Sequence, residues 1–410
     1  MSFRRLERCR VCAGGPLESF LDLGETPLAN SFLTKERLSD PEPRYPLELV
    51  FCRGCALVSL SAVVDPEVMF RDYIYVSGTS DTMPKHFAEL GTEVVERFVG
   101  GPAGLVVELG SNDGTLLKAV KAAGARVLGV EPATNIAAIA EKAGIPTVND
   151  FFSAALARTL RAERGPARAV LANNVVAHVH DVRDLVAGVH DLLDDDGVMV
   201  MEVPYLVDLL DRVEYDTVYH EHLSYFGLAP IVRLMADAGL HVFDVRRVAV
   251  HGGTLRVYAS KDRRPAGAAL EELRALERDL QLDTLAPYEA FAERVRAQRS
   301  ALVGLLRGLR AEGKRVAGYG APAKGNTMLN YCGIDTTLLD YTVDKNPLKQ
   351  GMFTPGTRLP VRGAETLVAD RPDYVLLLAW NFADEILRQQ AAYRESGGRF
   401  IHPLPEPRIL

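Results

Sequence analysis

Apolar residues in this chain come in short runs that stop at glycine. LVVEL (105–109) ends in the turn GSNDG (110–114) and passes into the helical spacing of TLLKAV (115–120). A strand buried on both faces of a parallel sheet has this pattern, because neither face meets water. ARVLGVEPATN (125–135) repeats it and ends in an acid, Glu131. ARAVLANNVVAHVHDV (167–182) and DGVMVMEVPYL (196–206) are further strands, and HGGTLRVYAS (251–260) reads as the last strand of the same sheet. Strands alternating with helices predict an α/β fold. The pattern then restarts. GKRVAGYGAPAKGNTMLNY (313–331) is a second strand, glycine turn and helix. A strand ending in Asp344 and another in DYVLLLAWN (373–381) complete half of a doubly wound sheet. Helical spacing between Ala266 and Leu309, as in ALEELRALERDL (269–280), connects or packs between these units. Ahead of them, PLELVFCRGCALVSL (46–60) reads as a hairpin.

Composition narrows the picture. At 410 residues two or three domains are expected rather than one core. Linker signals are confined to FVGGPAG (98–104) and the charged stretch at Lys261–Pro265. Lys and Arg number 47 against 54 Asp and Glu, a net charge of −7. That balance gives no general attraction to nucleic acid or to an anionic membrane. Apolar runs are too short to span a bilayer. The opening MSFRRLERCRVC has no apolar segment of the signal-peptide kind, so a cytoplasmic location is expected.

Four of the five cysteines form two CxxC pairs, Cys9 with Cys12 and Cys52 with Cys55; Cys332 is left over. In a reducing compartment this pattern argues for metal rather than disulfides, and two such turns supply four thiolates for a tetrahedral structural zinc. A redox CxxC is the competing reading; two pairs so near each other favour metal. With every position filled by sulfur there is no open coordination site. Zinc is then expected to hold a small lobe together and nothing more.

The glycine turn after LVVEL offers a backbone that a ligand can approach closely and free N–H groups at a helix start. It lacks a GxGxxG fingerprint and a Walker lysine, which weakens NAD and ATP. ELGSNDG (108–114) resembles the ExGxxxG first motif of class I S-adenosylmethionine (SAM) methyltransferases. On that reading Glu108, Gly110, Asn112 and Gly114 line the cofactor. Glu131 would take the two ribose hydroxyls, and Asp150 is suited to an adenine edge. Asn173 and Asn174 fall at the carboxyl end of their strand, where open α/β sheets bind ligands.

YHEH (219–222) packs two imidazoles and a carboxylate into three consecutive positions. Zinc is a poor fit, because metalloprotease helices carry histidines at i and i+4 and these are at i and i+2. Proton transfer suits the residue types better, since a neutral histidine is a base near pH 7. In an extended stretch His220 and His222 would share a face; in a turn Tyr219 and His222 would come together. A structural role is favoured for His180 and His220.

At this point the chain resembles the SAM-dependent C-methyltransferases of deoxysugar biosynthesis, which methylate a carbon of a dTDP-linked 4-keto sugar. The C-3′-methyltransferases of branched nitrosugar and methylated dideoxysugar pathways are the nearest kind. The residues carrying the likeness are the two CxxC pairs, YIYVSGTSDTM (73–83), ELGSNDGTL (108–116), NNVVAHVHD (173–181), YHEHLSYF (219–226), HGGTLR (251–256) and GYGAPAKGNTMLN (318–330). Their order along nearly the whole chain is highly specific. The resemblance implies three parts: a zinc-binding N-terminal lobe (1–72), a central class I SAM methyltransferase domain with a Rossmann-like sheet (73–262), and a second Rossmann-like lobe (263–410), with the sugar nucleotide between them. A three-lobed chain can enclose its own site, so a monomer is compatible with it. The resemblance also implies that Tyr73, His178, Tyr219, Glu221 and His222 line the reaction centre, with His222 as the base.

Methylating carbon beside a ketone requires an enolate. His222 would take the C-3′ proton, Tyr219 and His178 would face the C-4′ oxygen, and Tyr73 would be a further wall or donor. Glu221 would orient His222 or bind an amino or hydroxyl group. The phosphates of the nucleotide could use the turn around Ala321–Gly325, with Ala323 and Lys324 foremost and Asn326, Lys345 and Lys349 behind. Methylation at C-5′, transfer to oxygen or nitrogen, an NAD oxidoreductase built on the second glycine turn, and a zinc-lobe module that binds a nucleotide without chemistry are the alternatives.

Overall fold

The computed structural model of the chain describes residues 3–70, 82–250 and 252–410. Among these residues the central sheet has seven strands: Leu105–Leu109, Arg126–Val130, Thr147–Val148, Ala167–Asn173, Leu193–Pro204, His241–Val248 and Thr254–Ser260. Numbered along the chain, they lie across the sheet as 6-7-5-4-1-2-3. The first five pair in parallel, while Thr254–Ser260 runs antiparallel to both of its neighbours. This is the class I methyltransferase order. The segment read as the last strand is therefore present but wedged inside the sheet, and the edge strand His241–Val248 was not foreseen. Every residue of Leu105–Leu109 is buried, including Glu108. The first and fourth strands are neighbours, so the chain crosses over in opposite directions from them and leaves a crevice at their carboxyl ends.

The C-terminal sheet repeats the plan with Val316–Tyr319, Thr342–Val343, Val361–Arg362, Tyr374–Leu377, Arg399–His402 and Arg408–Ile409. Numbered the same way, its order is 3-2-1-4-5-6, with the last strand antiparallel. The expected second Rossmann-like lobe is thus built, with its own crevice between Val316–Tyr319 and Tyr374–Leu377.

The N-terminal lobe contains the expected hairpin, Tyr45–Cys52 against Val58–Leu60, flanked by Leu17–Thr26. One further strand joins this sheet. Ser224–Tyr225, one residue beyond YHEH, pairs with Val58–Leu60, and Leu60 N–H donates to Leu223 O at 3.1 Å. The lobe that zinc is expected to hold is therefore not a separate unit, because its sheet continues beside the loop that carries His222.

One apolar core runs from the N-terminal sheet into the C-terminal one. Leu49 and Phe51 pack with Tyr288 and Phe291 of the long helix Ala286–Ala311, and these with Val316 and Leu376. The Phe51 and Tyr288 rings lie 4.9 Å apart. Tyr288 is fully buried and donates to Leu282 O at 2.8 Å, so truncating it would cost about 3–5 kcal/mol. The first and last lobes are welded by this helix, whose amphipathic pattern fits its place between them. Among the described residues no helix is long and apolar enough to cross a membrane.

Candidate active site

The two CxxC turns share one backbone. Ala13 N–H donates to Cys9 O at 3.0 Å and Ala56 N–H to Cys52 O at 2.8 Å, with both alanines in the left-handed region. Each turn aims two sulfurs at one point. Cys9 and Cys55 Sγ are 3.5 Å apart, Cys12 and Cys52 Sγ 3.6 Å, and all four lie within 4.8 Å of one another. A Zn–S bond of about 2.3 Å gives a tetrahedron edge of about 3.8 Å, so the four sulfurs fit zinc with small adjustments. None is in a disulfide. Crowding splits their ionisation: hydrogen bonding from Cys55 draws the Cys9 thiol down to about 5, while burial pushes Cys52 up to about 11. A dication among them would neutralise the thiolate charge that this crowding penalises.

The central crevice gathers the residues read as cofactor ligands. Gly110 has φ +58°, and a Cβ there would fall 2.6 Å from Val175 Cγ2, so any other residue is strained at this position. Asn112 and Gly114 are left-handed as well, which curls the turn around the helix start at Thr115. Glu131 holds that turn in place: Oε2 accepts Asn112 N–H at 2.9 Å and Oε1 accepts Ala133 N–H at 2.8 Å. Each oxygen keeps a lone pair for a hydroxyl. Burial raises Glu131, with the two amides pulling the other way. Glu108 is pushed well above the usual carboxyl range by burial, then by the charges of Glu131 and Asp113. The Asn173 carboxamide lies against Glu108, off good hydrogen-bond geometry. Asn174 is left-handed and donates its N–H to Glu202 O at 2.8 Å. Asp150 is exposed, and its Oδ1 accepts the Phe151 amide.

YHEH is a turn. His222 N–H donates to Tyr219 O at 2.9 Å, which brings the two side chains together. Their rings lie 4.0 Å apart, and the Tyr219 hydroxyl is 2.8 Å from His222 Nε2. His222 Nδ1 is 2.8 Å from Thr217 O. A carbonyl only accepts, so Nδ1 carries the proton and the neutral ring keeps its lone pair on Nε2. His178 stands edge-on at 4.8 Å, donates to the Glu221 backbone, and is pulled down to about 4 by burial, hence neutral. Glu221 is buried and its Oε1 accepts Asn30 Nδ2–H at 2.6 Å. His220 turns away to donate to Tyr45 O at 3.2 Å, and His180 accepts from Arg10 at 2.6 Å. Tyr73, with most of YIYVSGTSDTM, lies outside the described residues, as does His251.

In the C-terminal lobe Ala321 N–H donates to Asp344 Oδ2 at 2.7 Å, the counterpart of Glu131 closing the first glycine turn. Ala323 and Lys324 open the helix Ala323–Cys332, and the Lys324 ammonium sits 4.7 Å above the Trp380 ring. Asn326 is buried and donates to Ala29 O at 2.7 Å, bridging to the N-terminal lobe. Lys345 points to the surface, 3.5 Å from Glu385. Lys349 points inward, donating to Ala321 O at 2.8 Å and lying 5.2 Å over Phe32. Burial lowers its ammonium, and the charges of Asp344 and Glu221 raise it again. Lys349, bonded to the second glycine turn, and Glu221 of the YHEH turn thus feel each other's charge.

Three family models tile the chain: a zinc binding domain over residues 9–70, a methyltransferase domain over 84–245, and a C-methyltransferase C-terminal domain over 249–405. The C-methyltransferase NovU of Streptomyces niveus is 40% identical over 416 aligned positions, covering 99% of this chain and 97% of that one. The chain belongs to the SAM-dependent C-methyltransferase family. Two solved structures resemble this C-methyltransferase over less than half its length. The magnesium protoporphyrin IX methyltransferase ChlM of Synechocystis PCC 6803 with bound SAM is 13% identical, covering 44% of this chain and 79% of that one, with a TM-score of 0.34. The PH0226 protein of Pyrococcus horikoshii OT3 is 14% identical, covering 46% and 95%, with a TM-score of 0.37.

Several residues of this C-methyltransferase escape a reading by motif. Asn30 and Phe32 lie in PLANSFL (27–33), a stretch with no chemical signature, and reach the site through packing against the C-terminal lobe. There Leu33 and Phe353 exchange backbone hydrogen bonds at 3.0 and 2.8 Å. Thr217 acts through its carbonyl, which side-chain chemistry does not announce. Lys349, by contrast, stands among the weaker phosphate candidates of the sequence, and it is half-enclosed in the fold.

Proposed function

We propose that this enzyme methylates C-3′ of a dTDP-linked 4-keto-deoxysugar through an enolate, with His222 as the base. The observation that carries the reading is the fixed tautomer of His222: Thr217 O holds the proton on Nδ1, leaving Nε2 basic beside the Tyr219 hydroxyl. SAM supplies an electrophilic methyl on a sulfonium. Asp113 and Glu131, whose negative charges act on Glu108, give its crevice a negative potential suited to a cationic donor.

In this reading Nε2 takes the C-3′ proton and the ring becomes an imidazolium. The electron pair moves to the C-4′ oxygen, and the Tyr219 hydroxyl turns from Nε2 to that oxygen. The enolate carbon then bonds the methyl as the carbon–sulfur bond breaks, and the imidazolium releases its proton to solvent. His178, neutral and donating to the Glu221 backbone, steadies the turn from behind. The nucleotide diphosphate is assigned to the Ala323–Lys324 helix start and to Lys349, which places the sugar toward Glu221. Four reduced thiols on zinc agree with a cytoplasmic location, which is part of the proposal. The relative's printed name, C-methyltransferase, supports transfer to carbon over oxygen or nitrogen.

The test is product NMR after incubation with SAM and a dTDP-4-keto-deoxysugar, together with C-3′ hydrogen exchange in D2O. A methyl on C-3′, and exchange that disappears in His222→Asn, are expected. A methyl on C-5′, oxygen or nitrogen, or full exchange in that variant, would overturn the assignment.

A further inference from the structure

The carbonyl that sets the His222 tautomer belongs to a short helical turn, Tyr215–Thr217, that is held by the C-terminal lobe. The Tyr215 hydroxyl donates to Gln298 Oε1 at 2.8 Å, and its ring meets Tyr331 edge-on at 5.3 Å. Gln298 in turn donates to Pro403 O at 2.8 Å. Asp216 is completely buried, and its Oδ2 accepts the Trp380 indole N–H at 2.6 Å. Trp380 follows the strand Tyr374–Leu377, at the C-terminal lobe's own crevice, and its ring carries the Lys324 ammonium. A run of contacts thus leads from Lys324 through Trp380, Asp216 and Thr217 to His222.

We infer that Asp216 and Trp380 are positioning residues for the base: their hydrogen bond anchors the turn whose Thr217 carbonyl holds the proton on Nδ1 of His222. The inference rests on His222 acting as base. A carboxyl group buried this deeply is unfavourable unless hydrogen-bonded. Its ionisation reflects that: burial raises Asp216 to about 6 against the opposing pull of the Lys324 charge and the indole hydrogen bond. Nothing in packing alone requires an acid here, because an apolar side chain would fill the space without the desolvation cost. What the acid adds is direction. It fixes the peptide plane of its neighbour through one short bond to a rigid ring, and a histidine base works only when its free nitrogen faces the substrate proton.

The bond can be dissected. Trp380→Phe keeps a ring under Lys324 and removes the N–H. Asp216→Asn keeps an acceptor oxygen, while Asp216→Ala removes it. Trp380→Phe is expected to lower kcat roughly tenfold or more. KM for SAM and zinc content should stay as in the parent enzyme, and the isotope effect on a C-3′-deuterated substrate should rise as proton removal becomes limiting. Asp216→Ala should match it, Asp216→Asn should recover most of the rate, and the double variant Asp216→Ala/Trp380→Phe should be no slower than either single one. Trp380 is the sole tryptophan, so emission in Asp216→Ala reports whether the indole has lost its buried partner. Unchanged kcat in Trp380→Phe would overturn the inference. So would parallel loss of SAM affinity and zinc, or Asp216→Asn failing as badly as Asp216→Ala. Should His222 not be the base, His222→Asn would keep its exchange activity, a result separate from any of these.

Discussion

The Tyr219 hydroxyl lies 2.8 Å from Nε2 of His222, and the same ring is anchored 2.8 Å from Thr217 O at Nδ1. The pair leaves one nitrogen basic and one hydroxyl movable. His222→Asn should lower turnover by at least about a thousandfold, and Tyr219→Phe by roughly a hundredfold. SAM affinity measured by calorimetry should be unaltered in both. Near-parental rates in His222→Asn would end its assignment as base.

Zinc removal should reach the catalytic loop. Ser224–Tyr225 pairs with Val58–Leu60, three residues beyond Cys55. Cys52→Ser is expected to lose metal, since structural sites of this kind contribute on the order of 10 kcal/mol to folding of their lobe. Activity should fall with zinc content measured by mass spectrometry. SAM binding, seated on the central sheet, should survive. Full activity in zinc-free protein would contradict the coupling.

The first glycine turn tolerates little change. Gly110→Ala meets both a positive φ and Val175, a strain of roughly 1–3 kcal/mol. Glu131→Ala leaves the Asn112 and Ala133 amides without their carboxylate, at a cost of about 1–3 kcal/mol each. Both variants should bind SAM at least about tenfold more weakly in titration, by 1.4 kcal/mol per decade. Unchanged affinity in both would remove the cofactor from this crevice.

The two lysines of the second turn should behave differently. Lys349→Met is expected to raise KM for the sugar nucleotide by about tenfold or more, because the cation is enclosed beside Ala321 and Glu221. Lys345→Ala removes an exposed pair with Glu385, worth about 0–1 kcal/mol, and should leave KM alone. Reversed effects in steady-state kinetics would move the nucleotide elsewhere.

Buried histidines give stability a pH signature. Burial pulls His220 from 6.5 down to about 4. Between those values the unfolded chain binds a proton that the native chain refuses, so this contribution is complete above about pH 6.5 and is lost as pH falls toward 4. It amounts to roughly 3 kcal/mol. Glu214, pushed up to about 8 by burial, acts in the opposite sense across part of the same range, so total stability is a poor readout. The difference between parent and His220→Asn in urea unfolding isolates the term. That difference should shrink from pH 7 to pH 4.5, and a constant gap would refute it.

Local pattern determined a good deal. Apolar runs broken by glycine announced both Rossmann-like sheets, because a strand buried on both faces is largely apolar and the tight turn after it needs residues that accept a positive φ. Two CxxC turns announced four sulfurs at one point, since a tight turn of four residues cannot spread a CxxC pair far apart. The letters YHEH left two geometries open, and only the turn closed by His222 N–H and Tyr219 O selects the one that joins Tyr219 to His222. Tertiary structure alone decided what surrounds that turn: Asn30 and the Val58–Leu60 strand from one lobe, Lys349 and Trp380 from the other. The reason is physical. Periodicity and turn chemistry are set by neighbours a few bonds away, whereas the Asp216–Trp380 bond and the charge of Lys349 acting with Glu221 depend on side chains brought together by burial across more than a hundred residues, a relation no local spacing encodes.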